Sequence, residues 1–177
     1  MARAVFAAPL LLSLACSAPR HPPTEAPAQA APPAGERSPA AALDALDERS
    51  PVPLLPMMAL HQKRNMQDHL LAVQEVVGAL ARDDLAAAAA AARRLGTSDE
   101  MMRQCDHMGR GAPGFTERAV AFHRTADGIA AAAEAGDTAA VLGALERTLA
   151  TCTGCHATFK QQVVDDAEWE RRTAALP

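Results

Sequence analysis

Near the C-terminal end of the chain two cysteines stand three residues apart and a histidine follows at once: Cys152-Thr153-Gly154-Cys155-His156. On a helix, residues three and four apart share a face, so both thiols and the imidazole project on one side within about one turn. That is the arrangement of covalent haem attachment, in which two thiols bond neighbouring vinyl groups of one porphyrin and the imidazole takes the iron. Three other chemistries use paired cysteines. A thioredoxin-like redox pair belongs to a βαβ setting, of which the chain shows no sign. A structural zinc site needs further ligands, normally a second clustered pair. A disulfide across one helical turn is strained.

The elements that must carry this motif read as helices throughout. A first helix after Pro56 has an apolar seam at Met66, Leu70, Val73, Val77 and Leu80, in alternating steps of four and three. Arg82-Asp83-Asp84 interrupts it, and either Asp can cap a second helix with Leu85, Ala88, Ala92 and Leu95 on its seam. Gly96 ends that helix, and a shorter piece from Asp99 to Met108 precedes a Gly-rich loop at 109–114. The third helix has Phe115, Ala119, Phe122, Ala126, Ile129 and Ala133; Gly136 ends it and Asp137 caps the fourth. On the fourth, the seam Leu142, Leu145, Leu149, Cys152, His156, Phe159, Val163 places the cysteine and the histidine at core positions. The expected fold is all-α, an antiparallel four-helix bundle over residues 51–177. Alanine seams on the second and third helices predict a core underfilled by side chains, with a haem as the missing volume.

A bundle whose haem motif ends the last helix resembles cytochrome c-prime and its low-spin class II relatives; the former is itself among the standard examples of such bundles. The resemblance covers roughly residues 57–165 by helix layout and is sharpest in the last thirty. It implies one covalent haem c, with Cys152 and Cys155 as thioether positions and His156 as proximal iron ligand. Phe159 and Lys160 match the family's aromatic and basic positions, which implies that both lie near the haem and that the cation tunes the iron. The family's distal position falls on Met66. In low-spin relatives a Met there ligates iron; in high-spin ones the position is unbonded and leaves a pocket for gases. Gln62, four residues earlier, departs from the family's basic residue.

Other soft ligands stand open as alternatives. Met57, Met58, His61 and His69 share the first helix, Met101, Met102, Cys105, His107 and Met108 cluster before the Gly-rich loop, and His123 adjoins Phe122. They suit copper in an exported protein, or simply Met packing against the haem edge with His residues in solvent. Cys105 reads as a small buried apolar residue. Asp165, Asp166, Glu168, Glu170, Arg171 and Arg172 read as a solvated helical face or a docking face for a partner.

The N-terminus reads as an export signal over residues 1–15, with Arg3 followed by an apolar run. Leu12-Ser13-Leu14-Ala15-Cys16 resembles a lipoprotein signal, with Ser13 off the pattern, and implies a lipid on Cys16; the alternative is an ordinary cleaved signal. Residues 16–50 are Pro- and Ala-rich without apolar periodicity and predict a disordered tether. The expected location is the periplasm, on a bacterial membrane through Cys16. The formal net charge of −4 gives no basic patch for nucleic acid. No run approaches the roughly 20 apolar residues of a membrane span. No paired carboxylates or activated nucleophile stand out, so the expected role is electron transfer with a redox partner protein, not catalysis, with homodimerisation open. A five-coordinate haem protein binding NO or CO, and a His/Met-rich copper module, are the alternatives.

Overall fold

Proline opens the longest helix. Pro56, at the first turn where its missing N–H costs nothing, starts α2 (Pro56–Leu80). Asp84 caps α3 (Leu85–Arg93) by accepting the Ala87 N–H at 2.9 Å, and Ser98 caps α4 (Asp99–Gly109) through the Met101 N–H. Gly114, at φ 82°, leads into α5 (Phe115–Glu134). Gly136, at φ 78°, closes the turn before Asp137 caps α6 (Thr138–Thr158) through the Ala140 N–H. These are the boundaries that the local sequence signals specify.

The computed structural model describes residues 38–174, so the export signal, Cys16 and the tether as far as residue 37 lie outside the described residues. The chain divides into two units, Met1–Asp44 and Ala45–Pro177. Within the stretch expected to be a tether, Pro39–Leu46 forms a helix, α1, with no buried residue. Alanine and leucine favour a helix there by propensity alone.

The larger unit is a helical bundle in which α2 packs on α3, α3 on α5 and α5 on α6. Among the described residues no helix is long and apolar enough to cross a membrane. Two short strands depart from the all-helical expectation. Residues of β1 (Ser50–Leu54) pair in parallel with β2 (Phe159–Val163), from Ser50 opposite Phe159 to Leu54 opposite Val163. The fourth helix therefore stops at Thr158, before Phe159 and Val163, although both continue its apolar rhythm. A pairing between segments a hundred residues apart has no local signature. Pro51 and Pro53 lack an N–H and are tolerated because a two-stranded ribbon has only edges. Beyond β2, α7 (Asp166–Ala174) covers β1. Its half-buried Glu168 pairs with exposed Arg171 and with half-buried Arg172.

The alanine seams close by close approach. Ala79, Ala88, Ala89, Ala91, Ala92, Ala130, Ala133 and Ala144 are buried around Val76, Ile129, Val141 and Leu145. Small residues let α2, α3, α5 and α6 come together, so this end is filled without a cofactor, against the expectation of an underfilled core. The inward face of α2 is likewise shifted. Its buried residues are Ala59, Gln62, Ala72, Val76 and Ala79, whereas Met66, Leu70 and Val77 of the expected seam are exposed. Alanine-to-alanine packing on α3 turns the small residues of α2 inward and leaves the larger ones on its flank.

Candidate functional site

The cysteines of the motif sit in the last two turns of α6, and both are half-buried free thiols. They face different apolar clusters. Cys152 packs against Ala72, Leu95, Phe122 and Ala126, together with Val73. Cys155 packs against a second cluster that includes Val52, Leu54, Met108, Phe115 and Phe159, with Met58 also against it. Burial raises both thiols above their ordinary pKa, with Arg118 partly opposing it at Cys155, so both stay protonated at neutral pH.

His156 is exposed, a correction to its expected core position. It recurs at seven-residue spacing with Leu142 and Leu149, which are 53% and 40% exposed. An open apolar groove of about 430 Å³, lined by Leu142, Leu145, Glu146, Leu149, Ala150 and Thr153, precedes it along α6. Among the described residues no helix covers that flank of α6, where Leu142 and Leu149 are exposed. Thr148, Thr151, Thr153 and Thr158 bond carbonyls of their own helix, so the hydroxyls leave the apolar character of the groove intact.

The end of α6 is held from a distance. Arg49 donates through Nη1 to the carbonyl oxygens of His156 at 2.9 Å and Phe159 at 3.4 Å, placing a cation at the negative end of the helix. Its guanidinium also bonds both Asp47 carboxylate oxygens, at 2.9 and 2.7 Å. The Arg49 hydrogen bond holds the Asp47 carboxyl down at about 2. Lys160 donates to the Asp47 carbonyl at 2.8 Å from β2. The expected iron-tuning cation thus sits on a strand and braces the chain entering β1. Phe159 is buried edge-on against Phe115 at 5.4 Å, in the cluster that Cys155 touches. Arg49 escaped sequence reading because its partners lie 107 and 110 residues away and no spacing marks it.

The residues of α2 separate into two sets. Met66 is 39% exposed on the flank. Gln62 is buried and accepts a hydrogen bond from Gln161 Nε2, which also donates to the Ala59 carbonyl at 3.3 Å. A neutral amide suits that place better than the family's cation. His69 is half-buried, its ring 4.8 Å from Phe122 and edge-on to His123 at 5.4 Å. His123 is buried, with Nδ1 2.7 Å from the Leu95 carbonyl. That oxygen only accepts, so Nδ1 carries the proton and Nε2 is bare in the neutral ring. Burial pushes His69 down to about 4, helped by His123 and opposed by Asp68. His123 is also lowered by burial, against the Leu95 bond and Asp127.

The remaining soft ligands are scattered. Exposed His61 bonds Asn65 at 3.2 Å, and His107 lies 5.8 Å from the Trp169 ring. Cys105 and Met108 are buried in α4, and Met101 and Met102 are half-buried. Among the described residues no three or more His, Cys, Asp or Glu come together as a metal-holding group.

Two half-buried thiols one turn apart, an exposed imidazole beside them and an apolar groove leading to it form a donor set that fits a covalently held haem. Residues 110–160 match the family model described as Cytochrome C'. The match spans α5, α6 and the whole motif, but not α2. No curated protein and no solved structure matches the chain.

Proposed function

We propose that the chain, whose residues 110–160 match the family model described as Cytochrome C', is a class II electron-transfer cytochrome carrying one covalent haem c. The observation that carries this reading is the Cys152-Thr153-Gly154-Cys155-His156 motif at the end of α6, with both thiols against the apolar clusters and His156 at the open flank. Cys152 and Cys155 would hold the haem by adding their Sγ–H bonds across its two vinyl groups, each thiol hydrogen passing to the neighbouring carbon, so that attachment would need no oxidant or reductant. When bound, the haem supplies a one-electron couple at iron, tuned by its axial ligands and by burial. Cys152 and Cys155 would hold the haem to α6, His156 would offer its imidazole to the iron, and the apolar flanks of α2 and α6 would shield it from water. Arg49 keeps the last turn of α6 wound, which sets the direction of His156.

The role proposed is that of a carrier rather than an enzyme, exchanging electrons with a protein partner. The export signal and Cys16 support a periplasmic, lipid-anchored location, with the mature N-terminus as the test by mass spectrometry. For the haem itself the test is acid–acetone extraction of the purified protein. The colour should stay with the polypeptide in the wild type and be absent from the double variant Cys152→Ala, Cys155→Ala. Haem that extracts freely from the wild type contradicts the proposal.

A further inference from the structure

Three elements meet at a pair of imidazoles that take no part in the haem motif. α2 brings His69, α5 brings Phe122 and His123, and the connection from α3 to α4 brings Leu95. The His69 ring stands edge-on to His123, 5.4 Å between centroids and 79° between planes, and lies 4.8 Å from Phe122. His123 is 3% exposed, and its Nδ1 donates to the Leu95 carbonyl at 2.7 Å. One turn along α5, Asp127 accepts from the Thr97 N–H at 3.0 Å and from its hydroxyl at 2.8 Å, so α5 grips the connection at two points. A Cβ at Gly96 would collide with the Asp127 carboxylate, so the connection passes α5 too closely for any side chain there. α2 is held in this layer by softer means: the His69 ring on Phe122 and His123, with Ala72 and Val73 beside it.

The layer suits neutral rings. Its buried members are Ala72, Leu95, Phe122 and Ala126. The titratable groups that face the pair are Asp68 on α2, Asp127 on α5 and, past Phe122, the neutral thiol of Cys152 on α6. The connection offers only the Leu95 carbonyl and Thr97. Among the described residues neither carboxylate forms an ion pair with either ring, and Asp127 is committed to Thr97. A proton on His69 would put a cation against apolar side chains and beside a second imidazole. Burial accordingly holds both rings below the ordinary histidine value, His69 at about 4.

We propose that the His69–His123 pair is an acid-sensitive latch: neutral imidazoles hold the middle of α2 against α5, and protonation frees His69 with the stretch of α2 that carries it. His69 is the moving half, because it is half-buried and held by ring contacts, whereas His123 is buried and pinned to Leu95. Release uncovers Phe122 and the side of Cys152 that packs on Ala72 and Val73, so acid opens the motif end while the alanine end stays shut. A histidine that resists protonation when latched stabilises the closed state above its ordinary 6.5, and that contribution is lost as the pH falls toward about 4. With these two values the opening equilibrium grows about thirtyfold from pH 7.5 to pH 5. The window lies above the one in which Asp47 titrates, 3.8 to about 2, so the two acid effects separate. The latch needs no haem, so its test and that of the proposed function fail separately.

The test is amide exchange of the full purified protein at pH 7.5 and pH 5, corrected for the intrinsic rate at each pH and read by mass spectrometry. In the wild type, residues 66–73 should lose about thirtyfold in protection at the lower pH, while Ala130–Ala133 keep theirs. His69→Phe keeps an aromatic ring on Phe122 but takes no proton, and should reduce that loss to a few fold at most. His69→Gln removes ring and charge alike and should flatten the pH dependence in the same way, whatever its absolute protection. Unchanged protection of the wild type between the two pH values, or the same loss in both variants as in the wild type, overturns the proposal. A loss at pH 5 shared equally by Ala130–Ala133 marks global acid unfolding and overturns it as well.

Discussion

The two ends of the bundle are built from different materials. At the end that joins α2 to α3 and α5 to α6, eight alanines close around Val76, Ile129, Val141 and Leu145. At the other end lie Phe115, Phe122 and Phe159, the paired imidazoles, the Gln62–Gln161 bond and the small sheet. The first end needs nothing beyond its own side chains. The second holds both thiols half-buried and leaves an apolar groove open on α6. The contrast teaches that the fold is anchored away from the haem motif, so the motif's end can be shaped for a cofactor without risk to the rest.

The sharpest way to break this comparison is to withhold the haem. In the Cys152→Ala, Cys155→Ala protein, amide exchange should speed up most in the second half of α6 and in α2 around His69. Amides of Ala88–Ala92 and Ala130–Ala133 should keep their protection. Equal loss at both ends would show that the alanine end depends on the haem after all. Next in size is Ile129→Ala, which opens a cavity in the alanine end. It should cost about 2–5 kcal/mol of stability by denaturant titration and leave the haem spectrum unaltered; a changed axial ligation would contradict the independence of the two ends.

How much of this was legible before the structure depends on range. Asp84, Ser98, Gly136 and Asp137 mark helix ends through bonds spanning a few residues, and each stands where its type predicts. The haem motif is likewise local. The register of α2 was not legible, because Met66, Leu70 and Val77 are the larger apolar residues and yet Ala72 and Ala79 are the buried ones. A seam read by residue size misses a face chosen for close backbone approach. The termination of α6 at Thr158 and the role of Arg49 depend on residues 50–54 arriving from the far end of the chain.

The smallest effect expected belongs to that long-range brace. Arg49→Ala removes the cation from the end of α6 and should lower stability by a small amount in denaturant titration. It should also change the acid limb of stability. Asp47 has its carboxyl held at about 2, below its ordinary 3.8, chiefly by the Arg49 side-chain bond. A depressed carboxyl contributes stability above its unfolded pKa and loses it as the pH falls through the folded one. Wild type should therefore lose this contribution between pH 3.8 and about 2, and Arg49→Ala should lack that portion of the acid transition. Identical acid limbs for the two proteins would show that the brace does not couple to folding.

The central claim is that the chain holds its haem covalently through Cys152 and Cys155. It is tested most directly by digesting the denatured protein and weighing the peptide spanning residues 148–160. The account predicts that this peptide carries one haem, with neither thiol alkylatable by iodoacetamide. A peptide at its unmodified mass, with both thiols open to alkylation, would contradict it.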